Sequence, residues 1–131
     1  MRLWHEQLIN KLPRQQLLGQ HRECCALRGK GWNKNHSTVD YIFDHDIEKL
    51  IAYHFKAMDE MILRGYNPNL KWYIPEYRGK TLGYADEPKH PNKYLAEKTY
   101  DEHDENYLRE CVDNLKAKGC VCRFVEEKMQ L

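Results

Sequence analysis

One stretch, residues 47–62, restricts the fold more than any other. Ile47, Leu50, Ile51, His54, Phe55, Met58 and Ile62 recur at intervals of three and four. That spacing follows the 3.6-residue turn of an α-helix and gathers the apolar side chains on one stripe. A strand would need alternation by two. A helix with such a stripe must bury it against a second element. Asp44 or Asp46 is placed to cap its start, and Gly65 after Arg64 to stop it.

Two more segments have a helical design. In residues 14–28, Pro13 suits an early helical position, and Leu17, Leu18, His21, Cys24 and Cys25 fall on one side. Near the other end, Thr99 and Glu102 have capping-box spacing ahead of Tyr107, Leu108, Cys111, Val112 and Leu115, and Gly119 is a stop. Between the second and third helices, residues 66–98 hold four of the five prolines plus Gly79 and Gly83, so a long irregular connection is expected. Gly29-Lys30-Gly31-Trp32-Asn33-Lys34 forms a shorter basic loop, and residues 119–125 have the composition of a short strand. The expectation is an all-α, compact single domain, residues 1–131, of about three main helices with long irregular loops.

Composition narrows the setting. Apolar residues make up 41% of 131, enough for one core. No run approaches the roughly 18 apolar residues of a membrane span, and Met1–Glu6 does not resemble a signal peptide, so a cytoplasmic location is expected. Five cysteines, an odd count with Cys24-Cys25 adjacent, make a disulfide framework a poor fit. Net charge is +1, but residues 1–39 carry seven Lys/Arg against two Asp/Glu, and residues 40–131 fourteen against eighteen. A basic N-terminal third suits a phosphate backbone, as scattered surface charge also would.

On a helical projection of residues 14–28, the side opposite the apolar stripe is centred on Gly19 and Ala26. Gln15 and Arg22 flank it on one edge, Gln16 and Glu23 on the other. Small residues along a polar face allow close approach by a ligand or neighbouring segment. An ordinary solvated face with surface charges at Arg22 and Glu23 fits the pattern too.

A resemblance separates these alternatives. Gln15-Gln16-Leu17-Leu18-Gly19-Gln20-His21-Arg22-Glu23 resembles the first helix of the phage pyrimidine-dimer DNA glycosylase/lyase family (endonuclease V type), where an aromatic-Arg-Glu triplet carries the catalytic glutamate. His21 stands here at the aromatic position. Leu63-Arg64-Gly65-Tyr66 is similar to that family's Lys-Arg-Gly-Phe helix end, and Ile74-Pro75-Glu76-Tyr77-Arg78-Gly79 to its Pro-Gln-Glu-Phe-Arg-Gly segment. The order is kept across residues 1–80. The resemblance implies an all-α repair enzyme that acts on damaged double-stranded DNA, cutting the glycosidic bond and then the strand. Its nucleophile would be an N-terminal α-amine, here that of Met1, with Glu23 as the assisting carboxylate. Arg2 and Arg22, joined by Lys30, Trp32 and Lys34 of the basic loop, are the expected DNA contacts. No cofactor, metal or obligate protein partner is implied.

Two departures bear on this. Arg2 is bulky enough to block removal of Met1, so the amine is expected to be that of a retained methionine. Glu126-Glu127-Lys128-Met129-Gln130-Leu131 lacks the family's basic, aromatic tail, which shifts the expected substrate from dimers toward abasic sites. A non-catalytic DNA-binding module of the same fold, or a protein-interaction domain, are the alternatives.

Other constellations are weaker. His21, Cys24 and Cys25 with Cys120 and Cys122 do not form two ligand pairs of zinc spacing. His36, His45 and His54, nine apart, cannot share a helix face. His54 falls on the apolar side of its helix, as a hydrogen-bonded core histidine would. Gly29-Lys30-Gly31 lacks the P-loop frame. Cys24 as a catalytic thiol conflicts with its place on the core side.

Overall fold

The computed structural model describes residues 3–29, 45–95, 100 and 102–117. Among these lie three α-helices: α1 (Arg14–Arg28), α2 (Ile47–Leu63) and α3 (Glu105–Ala117). Short 3-10 segments occupy Glu6–Lys11, Leu70–Tyr73 and Pro91–Tyr94. The chain is all-α with long connections, and the described residues contain one isolated antiparallel bridge, Tyr77 to Tyr84, but no strand. No helix of the described residues is long and apolar enough to cross a membrane.

The central element is α2, which packs along α1. Its apolar surface is wider than a single stripe. Leu50, Tyr53, Ala57 and Met61 face the main core, with Leu17, Cys24 and Leu27 of α1 and Cys111, Val112 and Leu115 of α3. Ile51, Phe55 and Met58 face a smaller cluster with Trp72 and Tyr73. Leu50 is fully buried, so truncating it to Ala is expected to cost about 2–5 kcal/mol. Ile62, placed on the stripe by its spacing, is instead 47% exposed, because the helix is ending there and its last turn overhangs the core.

The ends of α2 follow from local chemistry. Gly65 has a φ of 88°, its N–H donates to the Ile62 carbonyl (2.9 Å), and the Tyr66 N–H donates to the Met61 carbonyl (2.8 Å). This is the Schellman arrangement, and only glycine adopts that φ without strain. Arg64 donates to the Leu12 carbonyl at 2.7 Å, tying the helix end to the N-terminal segment. At the start, Asp46 occupies the cap position without a side-chain hydrogen bond.

α3 starts later than a Thr99–Glu102 capping box would place it. Asp104 caps it, accepting from the Tyr107 N–H at 2.9 Å. Glu102 is used elsewhere, 3.0 Å from His45 Nε2. The N-terminal segment was not anticipated as core, yet Leu3, Trp4, Leu8, Ile9 and Leu12 are all buried. Residues 119–125 lie outside the described residues.

Candidate active site

α1 separates two environments along its length. Leu17, Cys24 and Leu27 point into the core, while Arg22 and Ala26 are exposed. Glu23 lies on one edge of the exposed face and His21 and Cys25 on the other, as the 100° step requires. Glu23 is not the surface carboxylate that a polar face suggests. It is only 4% exposed. Among the described residues, nothing donates a hydrogen bond to it or pairs with it. Its carboxylate oxygens, unlike the neighbouring Gln20 Nε2, are not fully shut off from solvent, so the group is accessible at the edge of the helix face.

Beside Glu23, one turn earlier, is Gln20, 2% exposed. Its Oε1 accepts from the backbone N–H of Trp4 at 2.6 Å and lies 3.0 Å from the Tyr53 hydroxyl. That hydroxyl donates to the Trp4 carbonyl, and the Tyr107 hydroxyl donates to the Leu3 carbonyl, each at 2.5 Å. One side chain from each helix therefore holds the backbone of residues 3 and 4. Downstream, the Glu6 N–H donates to His103 Nδ1 (3.2 Å) and the Gln7 N–H to His5 Nδ1 (3.0 Å), and these two imidazoles stack. Residues 3 and 4 are thus clamped beside Gln20, one turn from Glu23 on α1. Gln20 Nε2, also buried, has no partner among the described residues.

The opposite edge holds a directed chain of hydrogen bonds. Arg28 is fully buried. Its guanidinium donates to the carbonyls of Trp72 (2.7 Å) and Ile74 (3.0 Å) and to His54 Nδ1 (2.9 Å). Since arginine only donates, His54 Nδ1 must accept and its proton sits on Nε2. Nε2 then donates to His21 Nδ1 at 2.8 Å. Burial, then the positive charges of Arg28 and His21, holds His54 well below its usual pKa. His21 is lowered by burial and by Arg22 and Arg28. Burial and the nearby Arg78 lower Arg28 to about 10, so it stays charged at neutral pH. Burial pushes the Cys25 thiol up to about 12 and raises Cys24 well above its usual value, so neither is an activated nucleophile.

Beyond Cys25 an open depression of about 420 Å³ lies between the end of α1 and the 72–82 segment, with Trp72, Arg78 and Lys80 in its wall. Gly29 makes this junction possible: a Cβ there would stand 3.0 Å from the Arg78 carbonyl oxygen. Arg78 itself donates to the Pro75 and Tyr77 carbonyls, at 2.7 and 2.9 Å. Two of the segments that carry the sequence resemblance, 15–23 and 74–79, are thereby linked through Arg28 and Gly29.

Of the expected site residues, Glu23 and Arg22 fall in the described part of the chain. Met1, Arg2, Lys30, Trp32 and Lys34 lie outside it, as do Cys120 and Cys122. The sequence reading missed Gln20, Tyr53, Tyr107 and Arg28. Only Arg28 left a signal: a cation at the centre of the apolar side of α1, which needs buried acceptors.

No curated protein matches the chain, and no solved structure does. A family model described as pyrimidine dimer DNA glycosylase matches residues 1–74, more than half the chain. The match includes Glu23, Gln20, both members of the histidine pair and the residues 3–4 held by the three helices. The chain belongs to the pyrimidine dimer DNA glycosylase family.

Proposed function

We propose that this DNA glycosylase is bifunctional: that it releases a damaged base and then cuts the strand as an abasic-site lyase, with the Met1 α-amine as nucleophile and Glu23 as its carboxylate. The observation that carries the proposal is the clamp on residues 3 and 4 near a little-exposed Glu23 that has no hydrogen-bond partner among the described residues. Three residues of chain span at most about 11 Å, so the clamp supports a reading in which an amine at residue 1 reaches the region of Gln20 and Glu23.

The chemistry fits an α-amine. Its pKa of roughly 7.7–8.0, against about 10.4 for lysine, leaves on the order of a hundred times more free base near neutral pH. The amine attacks C1′ of the sugar and the glycosidic bond breaks, its electron pair leaving with the base. Loss of an amine proton and opening of the ring give the imine. Removal of a C2′ proton then expels the 3′ phosphate by β-elimination, and water hydrolyses the imine to return the amine. Glu23 stabilises the positive charge developing on the sugar and carries protons in imine formation and elimination. Arg22, exposed next to Glu23, is suited to a phosphate, and Arg2, Lys30, Trp32 and Lys34 complete the proposed contacts to double-stranded damaged DNA. A cytoplasmic setting belongs to the same proposal.

Borohydride trapping on a duplex with one abasic site tests it. The expected result is a covalent adduct that maps to Met1, with strand nicking in its absence. An enzyme that neither traps nor nicks abasic or dimer-containing duplex, but binds it with steep salt dependence, would be a binding module.

A further inference from the structure

The His21 edge of α1 holds groups that the proposed chemistry at Glu23 does not use. Its hydrogen bonds run in one direction. Arginine has no acceptor, so Arg28 Nη1 donates to His54 Nδ1, at 2.9 Å. The His54 proton is therefore on Nε2 and is donated to His21 Nδ1, at 2.8 Å. With its Nδ1 lone pair engaged and its ring neutral, His21 carries its own proton on Nε2. Two fully buried side chains thus fix the tautomer of a half-buried third.

That outer N–H has no oxygen or nitrogen acceptor among the described residues. The ring's other polar contact there is Cys25 Sγ, 3.8 Å from Nε2 and 3.9 Å from Nδ1. An atom almost equidistant from both nitrogens is far off the line of either N–H, so the sulfur lies against the ring and does not take the proton. Water or a ligand must supply the acceptor. Charge says which kind of ligand. Arg22, next in the chain, is exposed, and Cys25 lines the depression whose wall holds Arg78 and Lys80. Burial, then the charges of Arg22 and Arg28, lower the His21 pKa, so the ring is neutral at pH 7 while its surroundings are cationic. Such surroundings draw an anion.

We propose that His21 Nε2–H is a neutral donor to a non-bridging phosphate oxygen of the bound DNA, held in that form by Arg28 through His54. This rests on the chain being a DNA enzyme and is independent of which group is the nucleophile. A phosphate contact of this kind fixes the register of the strand on α1. Protonating His21 would set an Nδ1–H against the His54 Nε2–H, so an approaching phosphate does not convert the ring to imidazolium while Arg28 holds His54.

Two measurements on the full chain test it. Proton–nitrogen correlation NMR of the histidine rings at pH 7.5 should show the Nε2–H tautomer at both His21 and His54. The His21 Hε2 resonance should move downfield when duplex with an uncleavable abasic analogue is added. An Nδ1–H or doubly protonated His21 in the free protein overturns the proposal, as does an Hε2 resonance that saturating duplex leaves in place. The second measurement is affinity for that duplex against salt. His21→Phe should weaken binding about 10-fold or more, as loss of a hydrogen bond to a charged group does. The slope of log K against log salt should stay unchanged, because a neutral donor displaces no counterion, whereas Arg22→Ala should reduce it by about 0.9. His21→Gln, which carries an acceptor for His54 and a donor for the phosphate, should recover part of the loss. Single methylphosphonate substitutions through both strands should find a phosphate whose neutralisation weakens wild type and not His21→Phe, which also identifies the strand. The proposal is overturned if folded His21→Phe binds as wild type does, if it reduces the salt slope as Arg22→Ala does, or if every substituted phosphate affects both proteins alike. Those outcomes leave the reading as a DNA enzyme standing. Wild type that binds no duplex at all overturns both.

Discussion

The two edges of α1 are built from the same helix and the same core, yet they treat polar groups in opposite ways. On the His21 edge, Arg28, His54 and His21 form one continuous chain of donors and acceptors. On the Glu23 edge, the little-exposed glutamate has no donor among the described residues, and the neighbouring Gln20 amide nitrogen has no acceptor. The first edge pairs most of its buried polarity, with Arg28 Nε left without a partner among the described residues. The second leaves polar groups open to an incoming ligand, as the proposed chemistry requires. The clamp on residues 3 and 4 shows that this edge is nonetheless rigidly organised.

The sharpest way to break the contrast is at Glu23. Glu23→Gln should lower the rate of strand cleavage on an abasic duplex by about 10³-fold, within the range for a general acid–base group. It should leave the melting temperature nearly unchanged, since Glu23 has no hydrogen bond or ion pair among the described residues to lose. If cleavage survives, the carboxylate is not part of the chemistry. Arg28→Met should do the reverse. It strands the Trp72 and Ile74 carbonyls and His54 Nδ1, so a loss of about 3 kcal/mol in urea unfolding is expected. Arg28→Lys should recover little, because a point charge cannot reach several diverging acceptors.

Gln20→Ala leaves the Trp4 N–H unsatisfied, at a cost of about 1–3 kcal/mol. Its more informative effect should be slower borohydride trapping with unchanged affinity for an uncleavable abasic analogue. Gln20→Glu, which keeps the acceptor oxygen, should restore part of the rate. Equal trapping rates in all three proteins would dissociate the clamp from the amine.

Acid should act mainly on the histidine edge. His54 and His21 have lower pKa values in the folded protein than the usual 6.5. The unfolded chain therefore takes up protons first as pH falls. Their contribution to stability is complete above about pH 6.5 and declines below it, for buried His54 by at most about 1.4 kcal/mol per pH unit. Urea melts from pH 7.5 to 5.0 measure this, and a flat profile would contradict it. The smallest effect is expected at Gly19. A Cβ there meets only the Arg22 guanidinium at 3.7 Å. Gly19→Ala should raise stability by up to about 1 kcal/mol. If DNA approaches this face closely, the same variant should bind abasic duplex more weakly.

Much of the frame could be read in advance. The stripe of α2, the stop at Gly65 and the helical span of residues 14–28 depend on interactions within a few residues, and the structure has them. So does the order of the three resembling segments, which anticipated the family. The start of α3 was misplaced because the Thr99–Glu102 capping-box spacing and Asp104 are competing starts a few residues apart, and only packing decides between them. Glu102 went to His45, 57 residues away.

The sequence by itself determined where helices form and that His21 falls on the apolar side of one of them while Glu23 borders its polar face. Both are consequences of short-range periodicity. Tertiary structure decided that Glu23 is buried, that Gln20 grips Trp4 across 16 residues, and that His54 reaches His21 across 33. Those outcomes depend on how α2 and the N-terminal segment pack against α1, and on which polar groups find partners once water is excluded. No local pattern encodes that geometry.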